Sequence, residues 1–292
     1  MRQGEPVEGV AVRVRGLKMR YGTKDVLHGV DFDVRVGELV ALLGPNGAGK
    51  STTIEILEGF RTRSDGEVAV LGVDPAHGDE RWRAGLGVVL QSWRDHSKWK
   101  VRELLGHLGR YYPEPFDVDE LLVLVGLAEQ ANQRVGTLSG GQRRRLDVAI
   151  GIVGRPRLLF LDEPTAGFDP QARREFHELV HRLVDVERTT VLLTTHDLAE
   201  AEKLADRILI LAEGRIVADG SADELARAVA GKAEIRWTRD GERFVHTADE
   251  VEDFVRGLLT EPGEPVRDLE VRRTSLEDTY MAMVHKQEAG EP

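Results

Sequence analysis

The chain has 292 residues, of which 41% are hydrophobic and 31% charged, and its 51 acidic and 40 basic side chains leave a formal net charge of −11. This composition excludes a fully disordered chain and argues against broad binding to duplex DNA or anionic lipid. The absence of cysteine excludes disulfides, thiolate catalysis and cysteine-ligated zinc. No apolar run approaches the ~18 residues of a spanning helix, and the first ten residues lack the apolar core of a secretory signal, so we expect a soluble cytosolic protein.

Two hydrophobic patterns divide the first 220 residues. Before Val36, hydrophobic residues recur with a period of two, as at Val12, Val14, Phe32 and Val34, which predicts antiparallel strands with one buried face. After Val36, short apolar runs alternate with helix-like stretches. The predicted strands are 39–43, 87–90, 158–161, 191–194 and 208–211, and the predicted helices are 50–60, 101–110, 142–153, 170–186 and 198–205. This alternation predicts an α/β domain with a largely parallel central sheet.

The pattern changes again from about Ser221. A short predicted helix, 222–229, is followed by alternating stretches at 233–237 and 243–246, a helix-like stretch at 248–259, and a loop rich in proline and glycine at 261–265. We therefore predict a small α+β extension over 221–292.

A glycine-rich segment lies between the first predicted strand of the α/β domain and the helix that follows it. It consists of Gly44, Pro45, Asn46, Gly47, Ala48, Gly49, Lys50, Ser51 and Thr52, and we call it the phosphate loop. Glycines let backbone N–H groups approach phosphate oxygens at a helix N-terminus that already favours anions. Lys50 is predicted to neutralise the β- and γ-phosphates and Ser51 to coordinate Mg²⁺. A glycine-rich turn with an incidental lysine is the alternative, but the strand–loop–helix context favours a nucleotide.

Three polar residues follow two other predicted strands. Asp162 and Glu163 end the apolar strand 158–161, and His196 stands just beyond 191–194. Because strand ends face the ligand crevice of an α/β sheet, we predict that Asp162 reaches Mg²⁺ and that Glu163 polarises the attacking water. The alternative for the two carboxylates is a helix cap or a surface pair. Asp169 before Pro170, and Ser139, are predicted to cap the helices that follow them.

The segment Leu138-Ser139-Gly140-Gly141-Gln142, here called the signature segment, lies 20 residues before Asp162. With the phosphate loop, this arrangement resembles the ATP-binding-cassette (ABC) ATPases. The resemblance covers roughly 10–220 and implies an ABC-type P-loop NTPase core with an antiparallel β subdomain and a helical subdomain. It also implies that Ser139, Gly140, Gly141 and Gln142 contact the nucleotide held by a second subunit.

Other markers of that family occur in the expected order. Tyr21 matches the aromatic residue that stacks on adenine. Gln91 resembles the glutamine that senses the γ-phosphate beside Mg²⁺ and couples to a partner. Glu163 takes the place of the catalytic glutamate, Asp169 that of the aspartate at the dimer seam, and His196 that of the switch histidine.

The resemblance further implies how the protein works. Residues 1–220 form an ATPase domain that binds ATP and Mg²⁺, dimerises head to tail and powers a separate multi-span permease at the cytoplasmic face of the membrane. No nucleic-acid partner is expected. The segment 92–100, with Trp93 and Trp99 among charges, is a candidate permease contact, and local packing of each tryptophan is the alternative.

A second, shorter resemblance concerns the C-terminus. The segment Ser275-Leu276-Glu277-Asp278-Thr279-Tyr280 resembles the tail of exporter ATPases of the daunorubicin-resistance type, which implies export of drug, antibiotic or lipid-like molecules. Structurally, Leu276 and Tyr280 could instead form the buried face of a terminal helix. Soluble ABC ATPases acting on the ribosome or on DNA, and a regulatory nucleotide binder without a permease, remain the alternatives.

Overall fold

The computed structural model describes residues 9–89, 96–165, 168–229, 233–239, 242–248, 251–260, 265–272, 277–278 and 280–281. They form two compact units, and the division falls between Asp219 and Gly220. The first unit contains two sheets and the second contains one, and each unit has its own buried side chains.

The first unit contains most of the regular structure. In chain order its elements are β1 (Val10–Tyr21), β2 (Lys24–Arg35), β3 (Leu39–Leu43), α1 (Lys50–Leu57), β4 (Asp65–Val70), α2 (Glu80–Ala84), β5 (Leu86–Val89), α3 (Val101–Gly109), α4 (Val118–Leu124), α5 (Gly140–Ile152), β6 (Leu158–Asp162), α6 (Pro170–Asp185), β7 (Thr190–Thr195), α7 (Leu198–Leu204), β8 (Arg207–Ala212) and β9 (Arg215–Gly220). The ten elements predicted after Val36 are confirmed, with bounds within three residues. The sequence analysis did not predict β4, α2, α4 and β9, which are short or carry charges on their exposed faces.

The period-two pattern before Val36 forms an antiparallel sheet with the order β2-β1-β4. Val12 pairs with Val34 and Val14 pairs with Phe32, and all four side chains are buried. Since paired residues of an antiparallel ladder share a face, the alternation in each strand builds one apolar surface for the core.

The central sheet has the order β5-β6-β7-β3-β8-β9. The pairs β5–β6, β6–β7, β7–β3 and β3–β8 are parallel. In this register Leu43 lies beside Thr195, and Asp162 lies beside Thr194. The loops that follow β3, β6 and β7 therefore leave the sheet at the same edge, which carries the three groups of residues predicted to act on a nucleotide.

A helical region made of α3, α4 and α5 lies in the same unit. Helix α3 contacts both α4 and α5, and Leu104, Leu105, Leu121 and Leu146 are fully buried. The N-terminus of α5 carries the signature segment, so this region positions that segment through its apolar packing. The predicted α/β core with antiparallel and helical subdomains is confirmed.

The second unit is an α+β structure. It contains α8 (Ala222–Val229), β10 (Ala233–Arg239), β11 (Glu242–Ala248), α9 (Val251–Thr260) and β12 (Arg267–Arg272), with the antiparallel order β11-β10-β12. Ile235 and Leu258 are buried, and Trp237 stacks on Phe244 and contacts Phe254. The sequence analysis missed β12, whose residues are all exposed. In the described part of both units, no helix has the length and apolarity that crossing a membrane requires.

Candidate nucleotide site

Glycines give the phosphate loop its shape. Gly47 and Gly49 have positive φ angles of 83° and 108°, a region that side chains disfavour. A Cβ on Gly44 would lie 2.3 Å from the Leu211 carbonyl oxygen, and one on Gly49 would lie 2.6 Å from Leu27 Cδ2. The Gly44 N–H donates to the Thr195 carbonyl oxygen at 3.2 Å. The loop is therefore packed against neighbouring strands, and its backbone turns only because glycine stands at these positions.

Lys50 lies inside this loop and is only 5% exposed. Its Nζ donates to the carbonyl oxygens of Gly44 at 2.7 Å and Pro45 at 3.2 Å, and lies 3.6 Å from Glu163 Oε1. Burial lowers the pKa of Lys50, while the charges of Glu163 and Asp162 raise it in part. A buried ammonium held mainly by loop carbonyls can exchange these contacts for phosphate oxygens.

Asp162 and Ser51 are the described candidates for Mg²⁺. The Thr194 hydroxyl donates to Asp162 Oδ1 at 2.5 Å and accepts the Glu163 N–H at 3.1 Å, so one β7 side chain orients both carboxylate residues. Among the described residues, no three His, Cys, Asp or Glu side chains form a metal cluster. One hydroxyl and one carboxylate are oxygen ligands of the kind Mg²⁺ prefers when phosphates and waters complete its shell. The donor set therefore fits the predicted ion.

Glu163 has a left-handed backbone conformation, with φ 43°. For a glutamate this costs on the order of 1–3 kcal/mol, so the surrounding contacts must impose it. The Glu163 N–H donates to both Thr194 O, at 3.2 Å, and Thr194 Oγ1. The turn brings the carboxylate to Lys50 and to His196, whose Nδ1 lies 3.3 Å from Glu163 Oε1. The structure thus brings together the three residues predicted to be catalytic.

Tyr21 reaches this region from the antiparallel sheet. It ends β1, and its hydroxyl lies 3.4 Å from Thr52 Oγ1 at the end of the phosphate loop. The ring is 38% exposed, and the Arg61 guanidinium carbon lies 4.9 Å from its centroid. The predicted adenine platform is therefore adjacent to the predicted phosphate site.

The signature segment forms a helix start. The Ser139 hydroxyl accepts the Gln142 N–H at 3.3 Å, and the Gln142 side-chain oxygen accepts the Ser139 N–H at 3.0 Å, which is a capping box. Asp169 likewise caps α6 by accepting the N–H groups of Gln171 and Ala172. Both predicted helix caps are confirmed. Ser139 and Gly140 are exposed, so this helix start faces outward.

A cavity of about 1240 Å³ lies over the signature segment. Its described lining includes the segment 139–142, Glu163, Phe168 and Asp169, but no residue of the phosphate loop, which the structure describes in full. Within the described chain, the signature cavity therefore extends to Glu163, which contacts Lys50, but the phosphate loop itself does not line it.

Some predicted residues lie outside the described part of the chain: Gln91, Trp93, Ser275, Leu276 and Thr279. Trp99 is described; its ring centroid lies 5.0 Å from that of His107, and the residue is 37% exposed. In the tail, Tyr280 is buried and Asp278 pairs with Arg272 at 2.9 Å.

Sequence reasoning missed two buried charged residues near the site. Arg144 donates to the carbonyl oxygens of Pro164 at 2.8 Å and Asp162 at 3.3 Å, and so connects α5 to the end of β6. Glu58, at the end of α1, has its pKa raised to about 8 by burial, with smaller effects of Asp162 and Glu55. Arg144 stands within a run of three arginines that resembles a solvated face, and Glu58 in a sequence rich in glutamate, so neither has a distinctive local pattern.

Comparison with known proteins gives a consistent result. The family model described as ABC transporter matches residues 27–166. The chain is 36% identical to the daunorubicin resistance ATP-binding protein DrrA2 of Streptomyces coeruleorubidus, over 95% of this chain and 96% of that protein. It is 41% identical to the Nod factor export ATP-binding protein I of Neorhizobium galegae, over 76% of this chain and 65% of that protein.

Solved structures with a similar fold include an ATP-binding subunit of an ABC transporter, with a TM-score of 0.66 and 30% identity over 75% of this chain and 92% of that one. A bacterial Atm1-family ABC exporter with ATP bound has a TM-score of 0.65 and 28% identity over 76% of this chain and 40% of that one. Both similarities cover about three quarters of the chain.

Proposed function

This chain belongs to the ABC transporter family and is an ATP-binding ATPase of that family, and we propose that two copies close head to tail around two Mg-ATP to drive a separate membrane permease. The observation that carries the proposal is that the phosphate loop and the signature segment do not line one cavity in the described part of the chain. The phosphate loop with Lys50 and the exposed helix start at Ser139 both suit phosphate, yet no phosphate-loop residue lines the signature cavity within the described chain. A second copy in the reverse orientation supplies each nucleotide with both surfaces.

In this dimer each group acts by position and charge. Lys50 binds the β- and γ-phosphates. Ser51 and Asp162 would hold Mg²⁺, and the ion would supply positive charge to the phosphates. Glu163 orients and polarises the attacking water. His196, whose Nδ1 lies 3.3 Å from Glu163 Oε1, contacts the γ-phosphate. Ser139 and the N-terminal N–H groups of α5 bind the γ-phosphate of the nucleotide held by the other copy. Hydrolysis removes that bridge and opens the dimer.

The relatives support export as the process that ATP hydrolysis drives. One relative is a daunorubicin resistance protein and another a Nod factor export protein. We therefore assign this chain to the cytoplasmic face of a bacterial membrane, where it powers export of a drug-, antibiotic- or lipid-like molecule. Trp99, which remains over one third exposed beside His107, belongs to the proposed permease contact.

The proposed dimer is tested by measuring the molar mass of the protein in solution. The Glu163→Gln variant, measured by light scattering with Mg-ATP, is expected at twice the 32.5 kDa mass of the chain, because it binds ATP and hydrolyses it very slowly. Adding Gly140→Asp is the matched control. A Cβ at Gly140 meets no atom within 4 Å in its own chain, so the monomer folds, while the carboxylate repels the other copy's phosphate. Dimers that persist with Gly140→Asp contradict the head-to-tail arrangement.

The permease is tested by co-purification. The tagged Glu163→Gln chain is solubilised from its native membranes with and without Mg-ATP, and a multi-span protein is expected to co-purify. Trp99→Ala is expected to weaken that association while ATP affinity stays unchanged. A chain that dimerises with ATP and brings down ribosomal, DNA-bound or no partner contradicts the exporter assignment and leaves the ATPase intact.

A further inference from the structure

Glu200 is a buried carboxylate with no role in the site described above. It lies in the first turn of α7 and is only 3% exposed. The helix is capped by the Asp197 side chain, which accepts the Glu200 N–H at 3.2 Å. The Glu200 carboxylate is therefore available for another purpose, and burying a charge needs compensating contacts.

Two threonine hydroxyls supply those contacts. Thr165 Oγ1 donates to one carboxylate oxygen of Glu200, and Thr195 Oγ1 donates to the other at 2.6 Å. Both threonines are buried. His177, on α6, approaches the same carboxylate: its Nε2 lies 3.8 Å from Glu200 Oε1, the oxygen that accepts from Thr165. One carboxylate thus joins residues from three separate segments of the chain.

The charge state of Glu200 suits this arrangement. Burial favours a higher pKa, but His177 and the hydroxyls of Thr165 and Thr195 together lower the pKa of Glu200 below its usual value. Glu200 is therefore an acceptor at both oxygens at neutral pH. Each threonine hydroxyl has to donate, which defines its rotamer.

The threonines are close in sequence to the predicted catalytic residues. Thr165 is two residues beyond Glu163, and Thr195 immediately precedes His196. The carbonyl oxygen of Thr195 also accepts the Gly44 N–H at the start of the phosphate loop, at 3.2 Å. Glu200 is thus linked through short backbone connections to the loop after β6, the loop after β7 and the phosphate loop.

We infer that Glu200 is a positioning residue for ATP hydrolysis, which joins the loops after β6 and β7 through Thr165 and Thr195 and so maintains the 3.3 Å approach of Glu163 Oε1 to His196 Nδ1. The inference rests on the proposed catalytic roles of Glu163 and His196. Because Glu200 is buried beneath the loops, it acts through backbone placement and does not touch the nucleotide.

The test compares steady-state ATPase kinetics of the full chain. Glu200→Ala is expected to lower kcat about tenfold while the KM for ATP changes less than about threefold, because alignment is lost and the phosphate loop remains. Glu202→Ala, an exposed glutamate of the same helix, is the matched control and keeps the wild-type kcat. A kcat for Glu200→Ala within twofold of wild type overturns the inference. So does a loss of kcat accompanied by an equal rise in KM and a lower Tm, which identifies a purely structural residue.

Isosteric changes keep the inference testable if Glu200→Ala does not fold. Thr195→Val removes the hydroxyl at constant shape and is expected to lower kcat about threefold to tenfold, and Thr195→Ser, which keeps the donor, is expected to restore it. Where Glu200→Ala folds, the double variant Glu200→Ala/Thr195→Val is expected to be no slower than Glu200→Ala alone, because the two residues act as one unit. Wild-type kcat in Thr195→Val, or additive losses in the double variant, overturns the inference.

Glu163→Gln separates this inference from the proposed function. Full turnover in Glu163→Gln overturns the proposed catalytic role on which the inference rests. Loss of turnover in Glu163→Gln, together with normal kcat in Glu200→Ala and Thr195→Val, leaves the proposed function intact and overturns the inference alone.

Discussion

The phosphate loop and the signature segment are held in the protein in different ways. In the phosphate loop, Lys50 is buried and donates to carbonyl oxygens of the loop itself, and Gly44 donates to strand β7. In the signature segment, Ser139 and Gln142 bond each other at a helix start, and Ser139 and Gly140 are exposed. One surface is integrated into the core of its unit, and the other is presented outward.

This difference has a physical consequence. Changes in the phosphate loop affect packing and nucleotide affinity in a single chain, because its atoms contact the core. We expect changes in the signature segment to leave that chain nearly intact and to affect the proposed dimerisation. Four experiments, on five variants, test the comparison, and they follow in order of expected effect.

Lys50→Ala has the largest expected effect. Removing the ammonium leaves the phosphates without their charged donor, and charged hydrogen bonds contribute roughly 1.5–3 kcal/mol each, so ATP affinity is expected to fall about a thousandfold. Lys203→Ala, an exposed lysine on α7, is the control. Fluorescent-nucleotide titration measures both variants, and an unchanged dissociation constant for Lys50→Ala contradicts the phosphate-loop assignment.

Glu58→Gln tests the buried surroundings of the phosphate loop through pH. The pKa of Glu58 is raised to about 8 from an ordinary 4.5, so the folded protein keeps a proton that the unfolded chain loses. The stability from this proton is complete below pH 4.5 and is lost as pH rises through 8. Gln imitates the protonated acid, so Glu58→Gln is expected to gain about 4 kcal/mol over wild type at pH 8 and almost nothing at pH 4. Denaturant unfolding at both pH values measures the gap, and a gap independent of pH contradicts the raised pKa.

Gly44→Ala and Gly140→Ala compare the two surfaces directly. The new Cβ at Gly44 would lie 2.3 Å from the Leu211 carbonyl oxygen, whereas the one at Gly140 meets no atom within 4 Å. We expect Gly44→Ala to destabilise the protein by about 3 kcal/mol and Gly140→Ala to change stability by less than about 1 kcal/mol. Equal unfolding midpoints in urea for the two variants would contradict the difference in packing.

Ser139→Ala has a small expected effect on stability. It removes the cap on the Gln142 N–H, which contributes about 1 kcal/mol. Ser221→Ala removes a similar cap, on the Glu224 N–H at 3.3 Å in the second unit. Both variants are expected to lower stability by similar amounts, but only Ser139→Ala is expected to weaken the ATP-dependent dimer. Equal dimerisation of the two variants, measured by light scattering, argues against the signature surface.

Much of the fold could be predicted from local patterns. Buried parallel strands such as Leu158–Asp162 are nearly continuous apolar runs, and Asp169 and Ser139 precede their helices as caps. Strand β4 escaped prediction because Asp65 and Glu67 interrupt its apolar residues on an exposed face. Strand β12 escaped because every one of its side chains is exposed.

The site was predictable where function depends on consecutive residues. The phosphate loop needs glycines and a lysine at set spacings on one stretch of chain, so its chemistry is visible in sequence. Glu200 illustrates the opposite case. It shares a helix face with the buried Ala201 and Leu204, which is the only local sign that it faces inward, and its partners Thr165 and Thr195 belong to other segments.

The sequence by itself determined the nucleotide-binding loop, the two carboxylates and the signature segment, because each is a local arrangement of backbone and adjacent side chains. The tertiary structure alone decided which of these meet. The strand order places β3 beside β7 and β7 beside β6, which brings Lys50, Glu163 and His196 together. The cavity over the signature segment reaches Glu163 but not the phosphate loop. Burial of Glu58, Arg144 and Glu200 was likewise decided by packing, because the environment of a charge depends on segments distant in the chain.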